Sequence, residues 1–571
     1  MVNIGIDFGS TYTTISVYRK DTGMVETLNL AGDASPYIPT LAALDNGHYR
    51  FGRTARASTG KPGVALFKAF KMLLPETDTA LLTTRGYSAV QTPQLMSAKF
   101  LEHYLRRTLD DFRESTIEHL VIGAPEIWSQ RDNGPDGRVL LKELCKGLPF
   151  VKDVQVVSEP AAATAFFAHN FKLKTGRDYN GSILLIDYGG GTLDLTLTTV
   201  SSENGGVEIK VLERIGAGEN EDGRIGQAGI VYMETVMEEA IRRCDRLGNT
   251  TPAKDGRFYR AVDDLEQALK EYKDDIKKTF DEFDTGSLLF GENIEDAEED
   301  LEELEEKNFT YIDYKGNYIP ITYALLVEVY NQLIYPVLQS KLVYMIDYME
   351  RTRIAYMDQD QDIFKIALVG GFGNFYLVKK QIEDKFRFSD FHDKRQKDII
   401  LIREDRERAI SKGAAMLSAG VITIRNTAPF NLGFYSRDVD GSPHVDYAIR
   451  YKQDLEYGVP CYARDEATGK PARFLLTAGR LTQVVTSRSL QEESAKLVPV
   501  RPEYAGRLTE LAQAPRPVSL GFSMDPVGVI SLHVRDFPID SAEPMEADTK
   551  IELTQYNGLL ALNDGKLVID L

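Results

Sequence analysis

Two stretches about 180 residues apart are built to one plan. GIDFGSTYTTISVY, residues 5–18, and LIDYGGGTLDLTLTTV, residues 185–200, each pass from an apolar run to an aspartate, through a turn of glycines and hydroxyls, into a second alternating run. Ile4 and Ile6, Ile15 and Val17, and Leu195 and Leu197 recur with the period of two that predicts strands. Between the strands, Gly9 with Ser10, Thr11 and Tyr12, and Gly189, Gly190 and Gly191 with Thr192, form turns with little side-chain bulk. Such turns let backbone amides approach a polyphosphate closely and point together at one anion. Asp7 and Asp187 end the first strand of each pair. Facing one another, they would share one hydrated magnesium while both turns hold the phosphates. Either stretch alone also fits an ordinary glycine-rich hairpin, but recurrence of aspartate and turn in matching context favours a duplicated clamp.

Further candidates lie between and after these turns. In ALFKAFKMLL, residues 65–74, the spacing of Phe67, Phe70 and Leu74 predicts a short helix. Lys68 and Lys71 flank it, and either serves a phosphoryl group or is simply solvated. HLVIGAPEIWS is a strand stopped by Gly123 and Pro125, and Val154, Val156 and Val157 form another. Pro160 then opens an alanine-rich helix with Glu159 at its start, where a carboxylate either complements the helix N-terminus or accepts from water near a metal. A helical region over 230–283 carries Lys277 and Lys278. Ten acidic residues fall within positions 292–306, which predicts an exposed insertion at 291–307, solvated or open to a basic partner. YIDYKGNYIPIT reads as a hairpin, and 323–348 as a long apolar-faced helix. KIALVGGFGNFYLVKKQIEDKF, residues 365–386, is a strand, a turn and an amphipathic helix. There Gly370 and Gly371 either let a flat base or ribose lie on the backbone or only make the turn tight. Small residues over 407–421 predict a closely packed helix.

The charge balance narrows the partners. Acidic residues outnumber basic ones by 86 to 67, a net charge of −19, which disfavours nucleic acid and anionic membrane. Cys145, Cys244 and Cys461 are dispersed and lack CxxC spacing, so neither a disulfide framework nor a zinc site is supported. The absence of a leader pattern and of a long apolar run leads to the expectation of a cytoplasmic protein. A length of 571 residues predicts about three or four domains.

IDFGSTYT, VIGAPEIWS, SEPAAAT, IDYGGGTLD, LVGGFGN and AISKGAA, in this order, resemble the nucleotide-binding domain of the DnaK-type seventy-kilodalton heat-shock chaperones, members of the actin-like ATPase superfamily. The resemblance covers about residues 1–421 and implies an α/β fold of two lobes, with related ribonuclease-H-like βββαβα cores around a nucleotide cleft. It places lobe I at 1–180 and lobe II at 181–421, the latter with the acidic insertion and a last helix returning to lobe I. A linker at 422–429 and an all-β sandwich at 430–571, without a helical lid, complete the expected domains. ATP or ADP and Mg2+ are the implied cofactors. Asp7 and Asp187 would organise the metal, with Glu159 beside it, and Asp194 would place water. Gly9, Ser10, Thr11, Tyr12 and Gly189, Gly190, Gly191, Thr192 would hold phosphates. Lys71 matches the family's catalytic lysine best, with Lys68 its rival. Lys277, Lys278, Gly370, Gly371, Phe372 and Asn374 would line the base side.

The sequence also departs from that family. Phe372 and Asn374 stand where the family has serine and an adenine-stacking arginine, and Lys278 replaces the opposing arginine. GQAG at 226–229 lacks the family's acidic residue, and ITIRNTAP lacks the acidic-flanked leucine run of the family's linker. Arg437 falls near an apolar position of the family's peptide arch. The implied function is an ATP-binding, slowly hydrolysing chaperone whose nucleotide state controls a β domain that binds polypeptide, with a co-chaperone or exchange factor among its partners. The alternative is a nucleotide-gated scaffold or assembly factor with one dedicated partner. A small-molecule kinase and a polymerising actin-like protein stand behind these.

Overall fold

The computed structural model describes residues 2–30, 35–125, 128, 137–203, 206–217, 228–248, 250–283, 294–352, 363–387, 406–428, 431–437, 443–450, 453–456, 458–465, 468–476, 483–487, 496–497, 516–524, 530–538, 541 and 543–554. The first alternating pair forms an antiparallel hairpin of β1 (Val2–Phe8) and β2 (Tyr12–Arg19), with Asp7 opposite Thr14. β3 (Met24–Thr27) and β4 (Ile38–Pro39) pair with β2, while β5 (Ala42–Asp45), β6 (His48–Phe51) and β7 (Ala65–Phe67) make a small sheet of their own. β8 (Ile117–Ala124) runs parallel to β1 and β9 (Val151–Ser158) parallel to β8, giving the order β3-β2-β1-β8-β9.

The second alternating pair opens another sheet. β10 (Gly181–Tyr188), β11 (Leu193–Glu203) and β12 (Gly206–Ala217) form an antiparallel meander in which Asp187 lies opposite Asp194. The helices Gly229–Arg242, Gly256–Glu271 and Lys273–Asp281 follow, then a hairpin of β13 (Asn308–Tyr314) and β14 (Asn317–Thr322). A helical run from Tyr323 to Thr352, with a π-turn at Tyr330–Ile334, precedes β15 (Ile363–Val369), which joins β10 in parallel. β16 (Ile422–Thr427) joins β12 in parallel.

Two helices bind these sheets together. Glu159–Thr175 packs on β10, β11 and β12, whereas Ala409–Ser418 packs on β1, β2 and β8, and the two helices lie against each other. Their alanines share a core with Val121 and Val157 of one sheet and Ile183, Leu185 and Ile209 of the other. Small side chains allow this close approach and bury the apolar face of each sheet.

The remaining strands are β17 (Asn431–Arg437), β18 (Pro443–Ile449), β19 (Asp454–Leu455), β20 (Cys461–Tyr462), β21 (Phe474–Leu476), β22 (Gln483–Ser487), β23 (Lys496–Leu497), β24 (Arg516–Met524), β25 (Ile530–Asp536) and β26 (Asp548–Thr554). β19 pairs with β16, and the others form the antiparallel sheets β18-β17-β22-β23 and β20-β24-β25-β26, the latter with β21 on β24. β18 packs against β20 and β24. Among the described residues no helix is long and apolar enough to cross a membrane.

Three expectations change. ALFKAFKMLL is not a helix: Ala65–Phe67 is β7, Ala69 adopts a left-handed φ of 55°, and turns follow. Its regular apolar spacing instead anchors a coil, with Phe67, Phe70, Leu73 and Leu74 all in the core beneath the first sheet. Ile422–Thr427, expected as linker, is a strand with Ile422 buried and Ile424 packed on the central core. The open edge of β12 supplies the backbone partners that a free linker would lack. The acidic segment includes a helix, Ile294–Glu306, that buries Leu304 and packs Leu301 against the core of the second sheet, while Glu302, Glu303, Glu305 and Glu306 are exposed. Residues 291–293 lie outside the described residues, as do 226–227 of GQAG and 555–571 of the C-terminal run.

Candidate functional site

The two turns meet. A Cβ on Gly190 would lie 2.2 Å from Thr11 Oγ1, and one on Gly191 would lie 2.7 Å from Ser10 Oγ. Any side chain there would push the turns apart. The second turn is closed by Gly189 N–H donating to Thr192 O at 2.9 Å. Its carbonyls are spoken for: Gly189 O accepts from Gly229 N–H at 3.3 Å and Gly190 O from Ile230 N–H at 2.7 Å. A trans peptide holds its N–H opposite its C=O, and the described chain has no cis bond, so the N–H groups of Gly190 and Gly191 point away from the helix that starts at Gly229. This is the amide presentation an anion requires.

Four charged groups converge beside the turns. Lys71 Nζ lies 2.5 Å from Glu159 Oε1, and both side chains are buried, at 3% and 5% exposure. Glu159 begins its helix directly after the N-cap Ser158, whose hydroxyl accepts from Ala161 N–H at 3.4 Å. It stands at the helix N-terminus as expected of a complementing carboxylate, and it also holds Lys71, a contact the sequence did not indicate. Burial raises the Asp7 carboxyl to about 7, with Glu159 adding repulsion and Lys71 pulling back. Asp187 is raised well above the carboxylate range, chiefly by burial and then by Glu159 and Asp7. On Lys71 burial acts downward, but the combined attraction of Glu159, Asp7 and Asp187 prevails and its pKa is raised. Three carboxylates thus share one lysine, and the shortage of positive charge falls on the two aspartates.

That donor set fits magnesium completed by phosphate and water. A hard divalent cation takes one or two carboxylates and keeps several other oxygens, which matches Asp7 and Asp187. Among the described residues no group of three or more His, Cys, Asp or Glu side chains could hold a metal on its own. Asp194 is fully buried on β11, opposite Asp187, and Thr192 and Ser10 are also buried.

Lys68 stands elsewhere. Its Nζ pairs with Asp263 Oδ1 at 2.8 Å and lies 5.0 Å from the ring centre of Tyr259, so it ties the N-terminal part to the Gly256–Glu271 helix and leaves the centre to Lys71. Two cations hold Tyr12: Arg56 and Lys270 lie 5.3 and 4.5 Å from its ring centre and donate to its hydroxyl at 3.2 and 3.4 Å. A cavity of about 390 Å³ opens there, lined by Tyr12, Arg56, Thr59, Arg260, Asp263 and Lys270 among others. Sequence reading missed Arg56 and Lys270, since neither sits in a motif and only the fold brings them to Tyr12.

The expected base-side residues differ in their settings. Gly370 has φ 80° and abuts the other turn, where a Cβ would come within 2.5 Å of Asp187 Oδ1. Its function is thus to let the β15 turn approach the aspartate. Gly371 is open. Phe372 is buried at 6% exposure among Tyr188, Tyr232 and Phe375, with ring centres 5.1 to 5.7 Å away, so its ring is a core side chain and not a stacking platform. Asn374 donates to Glu407 at 3.2 Å. Lys277 pairs with Asp281, which also accepts from Tyr376, and Lys278 is exposed on the same helix.

Over about a third of its length the chain is similar to DnaK-type heat-shock chaperones, with the low identity of a divergent relative. It is 28% identical to the chaperone protein DnaK of Metamycoplasma hominis over 201 residues, 35% of this chain and 30% of that protein. It is 24% identical to the heat shock 70 kDa protein of Neurospora crassa over 233 residues, 36% of this chain and 33% of that one. With the chaperone protein DnaK of Stenotrophomonas maltophilia it shares 27% identity over 252 residues, 39% of this chain and 36% of that one. The matched stretch spans about a third of the length of these curated relatives. No protein-family model matches the chain.

Proposed function

We propose that this divergent relative of the seventy-kilodalton heat-shock chaperones is a magnesium-dependent, slowly hydrolysing ATPase of two-lobed, actin-like architecture, whose nucleotide state controls a C-terminal β domain that binds polypeptide. The observation that carries the proposal is the convergence of Asp7 and Asp187 on the Lys71–Glu159 pair, where the two glycine turns meet. Bound magnesium would supply the positive charge that three carboxylates and one lysine lack. Gly190 and Gly191 would present amides to phosphate oxygens, and Lys71 would balance charge that spreads over a phosphoryl group as it transfers to water. Glu159 holds Lys71 in place, and buried Asp194 at the start of β11 would help place water. Chemistry of this kind is mainly positioning, which suits slow turnover.

Calorimetric titration of MgATP and single-turnover hydrolysis test the assignment on Asp187→Asn in the full chain. Asp187 is one of the two carboxylates in the donor set, so affinity should fall at least about tenfold and the magnesium dependence should weaken. Wild-type binding and turnover in the variant would remove Asp187 from the site and the proposal with it.

A further inference from the structure

The cavity beside Tyr12 is lined by donors that lack an acceptor. Arg56 donates through Nη2 to the Tyr12 hydroxyl, and its buried Nε has no partner among the described residues. It forms no ion pair with them, since Asp263 and Glu266 attract it only from beyond contact distance. The Tyr12 oxygen accepts from both Arg56 and Lys270, so its lone pairs are taken and its own hydrogen is left to be donated. Among the described residues it meets no acceptor. Thr59 Oγ1, on the same lining, is likewise buried and without a partner among the described residues. The neighbouring carboxylates are engaged: Asp263 by Lys68 at 2.8 Å and Glu266 by Lys270 at 2.6 Å, while exposed Asp264 is offset by Arg260. Buried donors are ordinarily satisfied, so three of them around about 390 Å³ of space call for an oxygen ligand. Water could accept from them, but it would leave the Arg56 charge without a counter-charge.

We propose that this cavity binds inorganic phosphate, at a site separate from the clamp made by the two glycine turns. A tetrahedral oxyanion carries acceptors on several sides, so it takes the guanidinium N–H and the two hydroxyls together and neutralises the arginine. A metal cation would meet the same unpaired guanidinium, and an apolar ligand would leave all three donors stranded. Tyr12 ends the first turn, so the cavity adjoins the clamp, and the proposed hydrolysis would release inorganic phosphate beside it. The inference rests on that reading only for the source of the anion, because binding in the cavity needs neither nucleotide nor magnesium.

The test titrates the full chain with inorganic phosphate in chelator at low salt, read by phosphorus NMR. Without metal the carboxylates of the clamp repel the anion, so binding reports the cavity. Arg56→Gln should weaken binding at least about tenfold, and Thr59→Val, which keeps the side-chain shape, several-fold. Melting curves check that both fold, and Thr59→Val carries the test if Arg56→Gln does not. Asp187→Asn should bind phosphate like wild type although its MgATP affinity falls, so cavity and clamp fail separately. Phosphate binding without any MgATP binding would refute the ATPase reading and leave this inference standing. No phosphate binding by wild type, wild-type affinity in the folded Arg56 and Thr59 variants, or loss of binding in Asp187→Asn would overturn the inference. Loss of phosphate binding on saturation with MgADP would also overturn it, by giving the cavity to the nucleotide's own phosphates.

Discussion

Replacing Asp7 by asparagine should make the ligand-free protein more stable and its nucleotide binding weaker. Burial and Glu159 raise Asp7 from 3.8 to about 7. As pH rises between these values the unfolded chain has already released the proton that the folded chain retains, so stability is lost across this window and the loss is complete above about pH 7. Three units at about 1.4 kcal/mol each set a ceiling of about 4 kcal/mol, and relaxation of the site and water entry reduce the expected gain in Asp7→Asn to about 2 kcal/mol at pH 8. The gap should narrow as pH falls toward 4 and close only below about pH 3, where both states are protonated in the wild type. Urea melts of both proteins in chelator, from pH 5 to pH 8, measure the widening gap. MgATP titration should show the opposite ranking, with at least about tenfold weaker binding by the variant. A gap that stays constant with pH, or a variant less stable at pH 8, would refute the electrostatic account of the site.

The two lysines should behave differently. Lys71→Met strands Glu159 in the interior and should cost about 3 kcal/mol in urea melts as well as turnover, with Lys71→Met/Glu159→Gln recovering much of the stability but not the turnover. Lys68→Met removes a partly exposed pair and should cost no more than about 1 kcal/mol. Equal losses would contradict their assigned places. Gly413→Ala tests the helix crossing between the sheets: its Cβ would fall 1.7 Å from Ala162 O, so the helices must separate, at a cost of about 3 kcal/mol or outright failure to fold. A melting curve like that of wild type would show that the crossing is looser than described.

Strand pairs and turns were legible because they depend on local pattern. Alternation at Ile4–Ile6 and Leu195–Leu197 defined β1 and β11, and the aspartates fell at the strand ends where the pattern put them. ALFKAFKMLL misled because spacing of three and four also arises when a coil drops several apolar side chains into one core. The acidic stretch misled in the opposite sense, since Leu301 and Leu304 among ten carboxylates are enough to fix a helix when a core waits for them. Lys68 and Lys71 were inseparable in sequence, because only tertiary structure puts Asp263 near one and Glu159 near the other. Phe372 was expected to line the base side, but Tyr188 and Tyr232 from two other elements, with Phe375 at the end of its own turn, absorb its ring into the core.

The strand at 422–427 bears on how the proposed nucleotide site would reach the C-terminal sheets. Asp187 and the second glycine turn sit between β10 and β11, β11 pairs with β12, and β12 pairs with β16, so hydrogen-bonded backbone runs unbroken from turn to strand. β19, from beyond β18, then pairs with the end of β16, and Lys210 of β12 reaches Asp454 of β19 at 2.6 Å. A sheet bonded along this path transmits a shift of one strand to the next more readily than a solvated tether does, because each displaced pair must break or carry its neighbour's hydrogen bonds. The short contact of β19 is the weakest link, two residues long and bordered by exposed Asp454. If the site acts as proposed, coupling between nucleotide and the C-terminal sheets would be set where β19 leaves β16, and the residues of ITIRNTAP would act through strand pairing.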